Sequence, residues 1–231
     1  MTYRFAVIGN PIKHSASPTI HQFFAQHAHL QLTYELILGD EITFENQVTD
    51  FFVQSGKGLN VTLPFKQRAL AMAQKSTPRA QLAGAANTLW LKDNQLWADN
   101  TDGIGLVRNL ASYIKLQGKR IAILGAGGAA RGIIQPLLEA NPASLMLASR
   151  NLDKALDIKV IFPQIYCTQL THLGSDYDLI INATSAHFKG DALELPPDCL
   201  IQKPLCYDLS YKQNNTTPFL RYTKDFGCET V

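Results

Sequence analysis

The sequence predicts an α/β protein made of two lobes, each a parallel sheet with helices packed on its faces. Short apolar segments alternate with amphipathic helical segments along the chain, as in folds built from strand–helix–strand units. Of the 231 residues, 46% are hydrophobic and 17% are charged, which indicates packed cores rather than disorder. This length suffices for two medium-sized domains. We predict a first lobe over residues 1–115 and a second over residues 116–231.

The first lobe is predicted to begin with a buried strand and an amphipathic helix. Ser17 followed by Pro18 is a typical helix start, with the serine as N-cap and the proline as the first helical residue. An apolar stripe at Ile20, Phe23 and Phe24 has helical spacing. The predicted elements of this lobe are strands at 5–8, 32–38 and 59–62, helices at 18–29, 43–54 and 102–115, and a hairpin pairing 88–91 with 96–99.

The second lobe is predicted to open with a strand that leads through a glycine-rich loop into a helix. Its predicted elements are strands at 120–124, 144–149, 178–182 and 205–209 and a helix at 127–139. Residues 125–130 fit the pattern G-x-G-x-x-A. Gly125 permits the tight turn, Gly127 lets the backbone approach a pyrophosphate, and Ala130 allows close packing of helix and strand. This pattern predicts a Rossmann-type dinucleotide site, and a tight turn that binds nothing is the alternative.

The end of the next strand predicts which dinucleotide is bound. NAD sites usually carry an acidic residue there, about 20 residues past the loop, that binds the ribose 2′-hydroxyl. Here the strand ends in Ser149, Arg150 and Asn151, and Lys154 follows one helical turn later. A guanidinium binds a 2′-phosphate through two parallel hydrogen bonds, whereas a carboxylate would repel it. We therefore predict NADP rather than NAD, with a solvent-facing Arg150 as the alternative.

Composition and charge argue against several other classes of function. A formal net charge of +2 is too small to indicate a nucleic-acid or membrane-surface partner. No apolar run reaches about 18 residues, so no transmembrane helix is expected. The N-terminus lacks a signal-peptide pattern, and the four scattered cysteines lack metal-site spacing. We expect a cytoplasmic protein with reduced thiols and no metal, whose partner is a small-molecule substrate rather than a nucleic acid or a membrane.

Residues 58–66 are the most informative segment of the first lobe. A short apolar strand ends in Asn60 and Thr62. Pro64 stops strand pairing and suits the first position of a helix that carries Lys66. Open α/β sheets bind ligands at the carboxyl ends of their strands. Hydrogen-bonding side chains and a titratable amine at such an edge predict a polyhydroxylated substrate and a proton transfer. A turn with a solvated lysine is the alternative.

Two further groups are candidates for substrate binding. Ser15 lies two residues before Ser17 and can point the same way in an extended segment. Beside a helix N-terminus, the two hydroxyls could hold a substrate carboxylate. Asp102 opens a predicted helix, where an acid is favourable as a dipole partner. Beside Lys66 it would instead be a catalytic partner.

A series of short motifs occurs at residues 9–11 with 14–18, then 60–66, 84–88, 100–103, 125–131, 182–185 and 207–211. In this order they resemble the motifs of the shikimate dehydrogenase family, and the resemblance extends from about residue 3 to about residue 222. It implies two α/β lobes with the substrate in the cleft between them. The implied reaction is the reversible, NADPH-dependent reduction of 3-dehydroshikimate to shikimate in the chorismate pathway to aromatic amino acids.

The resemblance also implies roles for individual residues. Ser15 and Ser17 match the serines that bind the substrate carboxylate, with Tyr211 assisting. The positions that match ligands of ring hydroxyls are Thr62, Asn87 and Asp102, and Lys66 matches the catalytic lysine. The implied cofactor-binding positions are Gly125, Ala126, Gly127, Gly128, Ala129, Ser149, Arg150, Asn151, Lys154, Thr184 and Leu209. Hydride transfer builds negative charge on the carbonyl oxygen, which Lys66 could protonate.

The chain departs from the family pattern in several places. Ser149, Asn151 and Lys154 stand where the family usually has Asn, Thr and Arg, and His187 stands where a glycine is common. The family continues beyond the position of Val231 with a helix that carries a substrate-contacting glutamine and with a final helix. On that ground we expect this form to bind NADP(H) but to be a poor enzyme, and to be less stable or more oligomeric than a longer relative.

Two alternative functions stay open at this point. One is a quinate/shikimate dehydrogenase with relaxed cofactor use, which Arg150 argues against. The other is a truncated, catalytically weak dinucleotide-binding protein. The oligomeric state is expected to be a monomer or a homodimer.

Overall fold

The structure is a computed structural model that describes residues 2–184, 193, 195–210 and 216–231. The chain forms two compact units, Met1–Thr101 and Asp102–Val231, which we call unit 1 and unit 2. Each unit contains one β-sheet together with helices. The predicted α/β class is therefore confirmed.

Unit 1 is built on a six-stranded sheet. Its elements are β1 (Tyr3–Gly9), α1 (Ser17–His27), β2 (Leu32–Leu38), α2 (Phe44–Val53), β3 (Gly56–Val61), α3 (Lys66–Met72), β4 (Lys75–Ser76), α4 (Pro78–Ala83), β5 (Thr88–Lys92) and β6 (Gln95–Asp99). The strand order is β2-β1-β3-β5-β6-β4, with β5 antiparallel to β3 and β6 and the other neighbours parallel. The ends of β1, β3 and β6 and the start of β5 therefore share one side of the sheet, which we call the carboxyl edge of unit 1.

The hairpin predicted from the sequence joins β5 to β6. Thr88 pairs with Asp99 and Lys92 pairs with Gln95. Asp93 and Asn94 connect the strands with φ angles of 53° and 57°. Two consecutive positive φ angles are what a two-residue hairpin turn requires, and Asp and Asn tolerate them better than most residues.

Helix α1 turns its apolar stripe away from the sheet. Ile20, Phe23 and Phe24 are 46%, 56% and 57% exposed. The opposite face carries Ala25, which is buried, and His21, whose ring stacks on a tyrosine of β2. The spacing of the stripe correctly predicted a helix, but spacing cannot show which face of a helix the sheet covers.

Two helices begin at residues other than those predicted. Helix α1 begins at Ser17 with Ala16 as its N-cap, so Ser17 is not the cap. Helix α3 begins at Lys66 rather than at Pro64, because the Phe65 N–H donates to the Thr62 carbonyl oxygen at 3.1 Å and closes a turn first. Helix α4 and strand β4 were not predicted, since they are too short for a clear apolar period.

Unit 2 is built on a five-stranded parallel sheet. Its elements are α5 (Asp102–Leu110), β7 (Arg120–Leu124), α6 (Gly128–Glu139), β8 (Ser144–Ser149), α7 (Leu152–Ile161), β9 (Tyr166–Gln169), β10 (Leu179–Asn182), β11 (Leu205–Asp208) and α8 (Pro218–Asp225), with 3-10 helices at Leu170–His172 and Pro197–Leu200. The strand order is β11-β10-β7-β8-β9. The chain order reverses between β7 and β10, which is where open α/β sheets bind ligands.

The division between the units lies after Thr101, earlier than the predicted boundary between residues 115 and 116. Helix α5 belongs to unit 2 because it packs on α6. The two backbones approach so closely that a Cβ on Gly103 would lie 2.4 Å from the Gly132 carbonyl oxygen. Helix α5 also ends at Leu110 rather than at residue 115.

Among the described residues, no helix combines the length and the apolar character needed to cross a bilayer.

All four cysteines are free thiols, and Cys199, Cys206 and Cys228 are buried. Burial raises the pKa of the Cys199 thiol to about 11, so this group is protonated at neutral pH.

Candidate active site

Residues from several segments meet at the carboxyl edge of unit 1. Strand β1 ends there at Gly9, β3 at Val61 and β6 at Asp99, and the antiparallel β5 begins there at Thr88. The predicted site residues Thr62, Lys66 and Asn87 lie next to these strand ends in the chain. Sheet topology therefore brings them to one edge.

Backbone hydrogen bonds hold Thr62 and Lys66 at this edge. The Thr62 N–H donates to the Ile8 carbonyl oxygen at 2.9 Å, which joins the segment after β3 to the end of β1. Lys66 is the half-buried first residue of α3, and its carbonyl oxygen accepts the Ala86 N–H at 2.8 Å. The start of α3 is thus tied to the segment that precedes β5.

The Asn87 carboxamide lies at the centre of a network of neutral groups. Its Oδ1 accepts hydrogen bonds from Thr88 Oγ1 at 2.8 Å and from the Thr101 N–H at 3.1 Å, and its Nδ2 donates to Thr101 Oγ1 at 2.9 Å. Asn60 Nδ2 donates to Thr88 Oγ1 at 3.4 Å and to the Asn87 carbonyl oxygen at 3.3 Å. Tyr34 Oη donates to Asn60 Oδ1 at 2.6 Å. Amides and hydroxyls of this kind can bind the hydroxyls of a substrate.

Ser15 and Ser17 lie together at the start of α1. Ser15 Oγ donates to Ser17 Oγ at 3.1 Å and accepts the Ser17 N–H at 3.3 Å. The two hydroxyls predicted to hold a carboxylate are therefore neighbours at a helix N-terminus. Ser15, rather than Ser17, is the residue whose side chain binds a backbone N–H of the first turn.

An ion pair between the buried Asp99 and the exposed Arg79 anchors the end of β6. The Asp99 side chain accepts hydrogen bonds from Arg79 Nε at 2.7 Å, from Arg79 Nη2 and from Thr77 Oγ1 at 2.6 Å. Burial raises the pKa of Asp99, but the hydrogen bonds from Arg79, Thr77 and the Asn100 N–H more than offset this and hold the pKa below its usual value. The Asp99 carbonyl oxygen accepts the Asn87 N–H at 2.9 Å, so this carboxylate also anchors the backbone of the site.

In unit 2, β7 leads into α6 through the predicted glycine turn. Gly125 has a φ of 103°, and a Cβ there would lie 3.1 Å from Thr184 Cγ2. Gly127 is the N-cap of α6 in extended conformation, and a Cβ there would meet no atom within 4 Å. Ala130 is fully buried, as expected for the position that lets helix and strand pack closely. The turn and the first helical residues are formed by Gly125, Ala126, Gly127, Gly128 and Ala129.

The glycine turn fits a phosphate-containing cofactor. Open space beside Gly127 allows a ligand to approach the backbone closely. The first N–H groups of α6 have no intrahelical acceptor, and the helix dipole favours negative charge at this end.

The segment after β8 places two cations at the start of α7. Ser149 is buried and its Oγ accepts the Asn151 N–H at 3.3 Å. Asn151 is the N-cap of α7, with its Oδ1 accepting the Lys154 N–H at 3.2 Å. Arg150 and Lys154 are exposed on either side of this cap. Their positive charges and the helix N-terminus suit a 2′-phosphate.

Two buried polar residues tie together the loops that follow β10 and β11. Asp208 Oδ1 accepts from Asn182 Nδ2 at 3.1 Å and from the Ser210 N–H at 3.0 Å, and its Oδ2 accepts from Thr217 Oγ1 at 2.6 Å. Asn182 Oδ1 in turn accepts from Thr184 N–H at 3.0 Å and from Thr184 Oγ1 at 2.7 Å. Thr184, a predicted cofactor residue, is thereby fixed beside the Gly125 turn.

The remaining predicted residues have the following places. The Leu209 N–H donates to the Asn182 carbonyl oxygen at 3.0 Å, so Leu209 lies at the same loop junction as Thr184. Asp102 is the half-buried first residue of α5. Tyr211 and His187 lie outside the described residues.

In the part of the chain that the structure describes, no group of three or more His, Cys, Asp or Glu residues could hold a metal ion.

Comparisons with known proteins identify the family. Residues 7–89 match the family model described as "Shikimate dehydrogenase substrate binding domain", and residues 106–189 match "Shikimate / quinate 5-dehydrogenase". A "Shikimate dehydrogenase (NADP(+))" of Legionella pneumophila (strain Lens) is 57% identical over 231 residues, covering 100% of this chain and 87% of that protein. The chain belongs to the shikimate dehydrogenase family. A relative of the same name from Colwellia psychrerythraea is 43% identical, with 99% of this chain and 84% of that protein covered.

Solved structures of similar sequence show the same fold. The shikimate 5-dehydrogenase of Thermus thermophilus in complex with NADP(H) and shikimate matches with a TM-score of 0.87 and 30% identity, over 99% of this chain and 86% of that chain. An enzyme of Pseudomonas putida matches with a TM-score of 0.87 and 40% identity, over 99% of this chain and 85% of that chain. The predicted family, the two-lobe fold, the oxidoreductase class and the cofactor NADP are confirmed. The comparisons favour neither of the two alternative functions.

Sequence reasoning missed Tyr34, and it predicted Asn60 at the strand edge without showing which residues Asn60 contacts. Tyr34 and Asn60 lie on different strands, and only the register of the sheet brings them together. Asn182 and Asp208 had a visible signal, because each is a polar residue at the end of an apolar predicted strand. The sequence did not show that the two would bind one another.

Proposed function

We propose that the chain catalyses the reversible, NADPH-dependent reduction of 3-dehydroshikimate to shikimate in the chorismate pathway to aromatic amino acids. The observation that carries this proposal is the convergence of Thr62, Lys66 and Asn87 at the carboxyl edge of unit 1, in a member of the shikimate dehydrogenase family. A ring substrate with several hydroxyls and a ketone needs donors, acceptors and a proton source, and this edge carries all three.

Substrate recognition is assigned to side chains. Ser15 and Ser17, adjacent at the start of α1, are the proposed ligands of the substrate carboxylate. Thr62 and Asn87 are proposed to bind ring hydroxyls. On the family resemblance, Asp102 and Tyr211 complete the set of substrate ligands.

Lys66 is the proposed proton donor. Reduction of a ketone leaves negative charge on its oxygen, which must gain a proton. The ammonium group of Lys66 can donate that proton from Nζ and stabilise the charge as it develops, and Asp102 is its proposed catalytic partner. In the reverse reaction the neutral amine accepts the proton of the substrate hydroxyl.

Unit 2 is proposed to hold the cofactor, which supplies the hydride when bound. The backbone of Gly125, Ala126, Gly127, Gly128 and Ala129 would bind the pyrophosphate at the N-terminus of α6. Arg150 and Lys154 would bind the 2′-phosphate, beside Ser149 and Asn151. Thr184 and Leu209 are the proposed contacts from the loops after β10 and β11. Support comes from the open space at Gly127, which a side chain would fill.

We further propose that the protein is cytoplasmic and is a monomer or a homodimer. The four free cysteines support a reducing compartment. Size-exclusion chromatography with light scattering measures the oligomeric state, and cell fractionation tests the compartment.

An absorbance assay of NADPH oxidation tests the proposed reaction. We expect saturable oxidation of NADPH with 3-dehydroshikimate, NADP+ reduction with shikimate in reverse, and much lower rates with NADH or with quinate. If the protein binds NADPH in a titration but neither direction proceeds, the proposed reaction is wrong. Equal rates with NADH and with quinate would favour the broader quinate/shikimate enzyme.

A further inference from the structure

A chain of hydrogen bonds runs from β2 to Asn87, and the chemistry of its groups gives each link a direction. A carboxamide oxygen can only accept a hydrogen bond, a carboxamide nitrogen can only donate one, and a hydroxyl can do both. The 2.6 Å contact between Tyr34 Oη and Asn60 Oδ1 therefore has the tyrosine as donor. Asn60 must then present its Nδ2 to Thr88 Oγ1, 3.4 Å away.

The direction continues to Asn87. Thr88 Oγ1 accepts from Asn60, so its own hydrogen is available for Asn87 Oδ1 at 2.8 Å. The Thr101 N–H, a donor whose role cannot change, also binds Asn87 Oδ1 at 3.1 Å. With its oxygen engaged from two sides, Asn87 turns its NH2 group, which also donates to Thr101 Oγ1 at 2.9 Å, toward the proposed position of a substrate oxygen.

The register of the sheet makes the first link possible. Tyr34 pairs with Phe5 on β1, and Asn60 on β3 pairs with Val7, two residues further along β1. Neighbours in a sheet and residues two apart in a strand share one face, so the tyrosine side chain reaches across β1 to Asn60.

The Tyr34 ring is held in this position by its surroundings. Tyr34 is 8% exposed and packs in a cluster with Val7 and Ile12. The His21 ring of α1 stacks on it with centroids 4.4 Å apart and an interplanar angle of 16°. This packing fixes the ring and therefore the position of the hydroxyl beside Asn60 Oδ1.

We propose that Tyr34 is a positioning residue for substrate binding, which through Asn60 and Thr88 keeps the Asn87 carboxamide turned with its NH2 group toward the substrate oxygen. The proposal rests on the proposed function, in which Asn87 binds a substrate hydroxyl. Without the tyrosine hydroxyl, the Asn60 amide is held only by its long bonds to the Asn87 carbonyl oxygen and to Thr88 Oγ1, at 3.3 and 3.4 Å. The Asn60 amide and the Thr88 hydroxyl are then oriented less firmly, which weakens the bond from Thr88 that helps to fix the Asn87 carboxamide. An inverted Asn87 would present an acceptor where its NH2 group had donated to the oxygen of the substrate hydroxyl.

Tyr34→Phe tests the proposal because it removes only the hydroxyl. We expect the KM for shikimate to rise about tenfold, the scale of one hydrogen bond in an oriented network, while the KM for NADP+ stays within about twofold. Tyr166→Phe, at an exposed tyrosine of β9, is the matched control and should change neither constant. An unchanged shikimate KM in folded Tyr34→Phe protein overturns the proposal, as does an equal rise in both constants together with a lowered melting temperature.

Thr88→Val breaks the same chain at a later link. If Tyr34 acts through Thr88, the double variant should resemble the more impaired single variant, because a broken chain cannot be broken again. If the fold-change in shikimate KM of the double variant equals the product of the two single fold-changes, the two residues act independently. That result would contradict the proposed hydrogen-bond chain.

A measurement without turnover separates this proposal from the proposed reaction. The side-chain amide signals of Asn87 in an NMR spectrum of the ligand-free protein should shift and exchange faster in Tyr34→Phe. If they do so in a protein that lacks activity with shikimate, the hydrogen-bond chain stands and the proposed reaction fails. If the Asn87 signals are unaffected by Tyr34→Phe, the chain itself is wrong, whatever the activity.

Discussion

The two units present different chemical groups at the carboxyl ends of their strands. At the carboxyl edge of unit 1, side-chain amides and hydroxyls orient one another, as the bonds of Asn87 show, and the amine of Lys66 belongs to the same edge. In unit 2 the corresponding positions offer backbone N–H groups at Gly127 and exposed cations at Arg150 and Lys154. A polyhydroxylated ring requires hydrogen-bond donors and acceptors at separate points. A phosphate requires several donors on a backbone that it can approach closely. The comparison predicts that side-chain truncation disables unit 1 and that added side-chain volume disables unit 2.

Each unit also anchors its strand ends with a buried carboxylate, but the partners differ. Asp99 in unit 1 is paired with the Arg79 guanidinium. Asp208 in unit 2 accepts hydrogen bonds from Asn182, Ser210 and Thr217, and no cation among the described residues forms an ion pair with it. Both carboxylates fix loop backbones. Each therefore supports a proposed site in which other residues contact the substrate or the cofactor.

The largest effect is expected when the amine of unit 1 is removed. Lys66→Ala should lower kcat by about 10²-fold or more, the scale of a lost acid–base group, with little change in the Kd for NADPH. Lys57→Ala, at an exposed lysine of β3, is the control and should keep both values. Steady-state kinetics and fluorescence titration measure the two quantities. Near-normal turnover in Lys66→Ala would remove Lys66 from the proposed role.

The next largest effect is expected at the cations of unit 2. Arg150→Asp should raise the Kd for NADPH by about tenfold to hundredfold, since a charged hydrogen bond is lost and a repulsive carboxylate is gained. The Kd for NADH, which lacks the 2′-phosphate, should change much less. Arg221→Asp on α8 makes the same change of charge at an exposed site and is the control. Equal weakening of both cofactors would show that Arg150 is structural.

Gly127→Ala tests whether open space in unit 2 is reserved for a ligand. The added methyl meets no protein atom within 4 Å and the backbone is extended, so the free energy of unfolding should change little. The Kd for NADPH should nevertheless rise about tenfold, because the methyl occupies the approach to the backbone. Gly125→Ala, at a φ of 103°, is the contrast and should lower stability by about 1 kcal/mol or more. Unchanged NADPH binding in Gly127→Ala would argue against a pyrophosphate at this turn.

Substitution of Ser15 and Ser17 in unit 1 should distinguish an effect on substrate binding from an effect on stability. Both Ser15→Ala and Ser17→Ala are expected to raise the KM for shikimate several-fold, since each removes a proposed carboxylate ligand. Ser15→Ala should also lower the free energy of unfolding by about 1 kcal/mol, because Ser15 Oγ accepts the Ser17 N–H. Chemical denaturation compares the two variants. A larger loss of stability in Ser17→Ala would restore Ser17 as the helix cap.

The smallest effect concerns acid stability and the ion pair of unit 1. Hydrogen bonds from Arg79 and Thr77 outweigh burial and keep the pKa of Asp99 below its usual value. Asp99 therefore stabilises the fold above the ordinary carboxyl pKa of about 3.9, and this contribution is lost as the pH falls through the lowered pKa. Arg79→Gln should move the midpoint of acid unfolding upward by about half a unit to one unit. Arg68→Gln, which breaks the more exposed pair with Glu45, should move it less, and the opposite ranking would contradict this account.

Much of the fold could be predicted from local patterns, and the proposed site residues were chosen from the same patterns. Most strands of both units, the β5–β6 turn at Asp93 and Asn94, and the glycine turn at Gly125 follow from residues close together in the chain, whereas β4 and β9 were not predicted. Each depends on a backbone preference or an apolar period that a short window of sequence contains. The motifs that contain Lys66 and Arg150 likewise identified the family and the cofactor NADP before any contact was known.

The tertiary structure alone decided which of these segments touch. The side of α1 that faces the sheet, the place of α5 in unit 2, the role of Ser15 at the helix start and the bond from Tyr34 to Asn60 were all absent from local patterns. An apolar period in the sequence shows that a helix or strand has an apolar face. Which element packs on that face is set by the order and register of strands that are distant in the chain. For this reason the sequence by itself determined which residues carry the proposed chemistry, and the folded sheet determined which residues hold them in place.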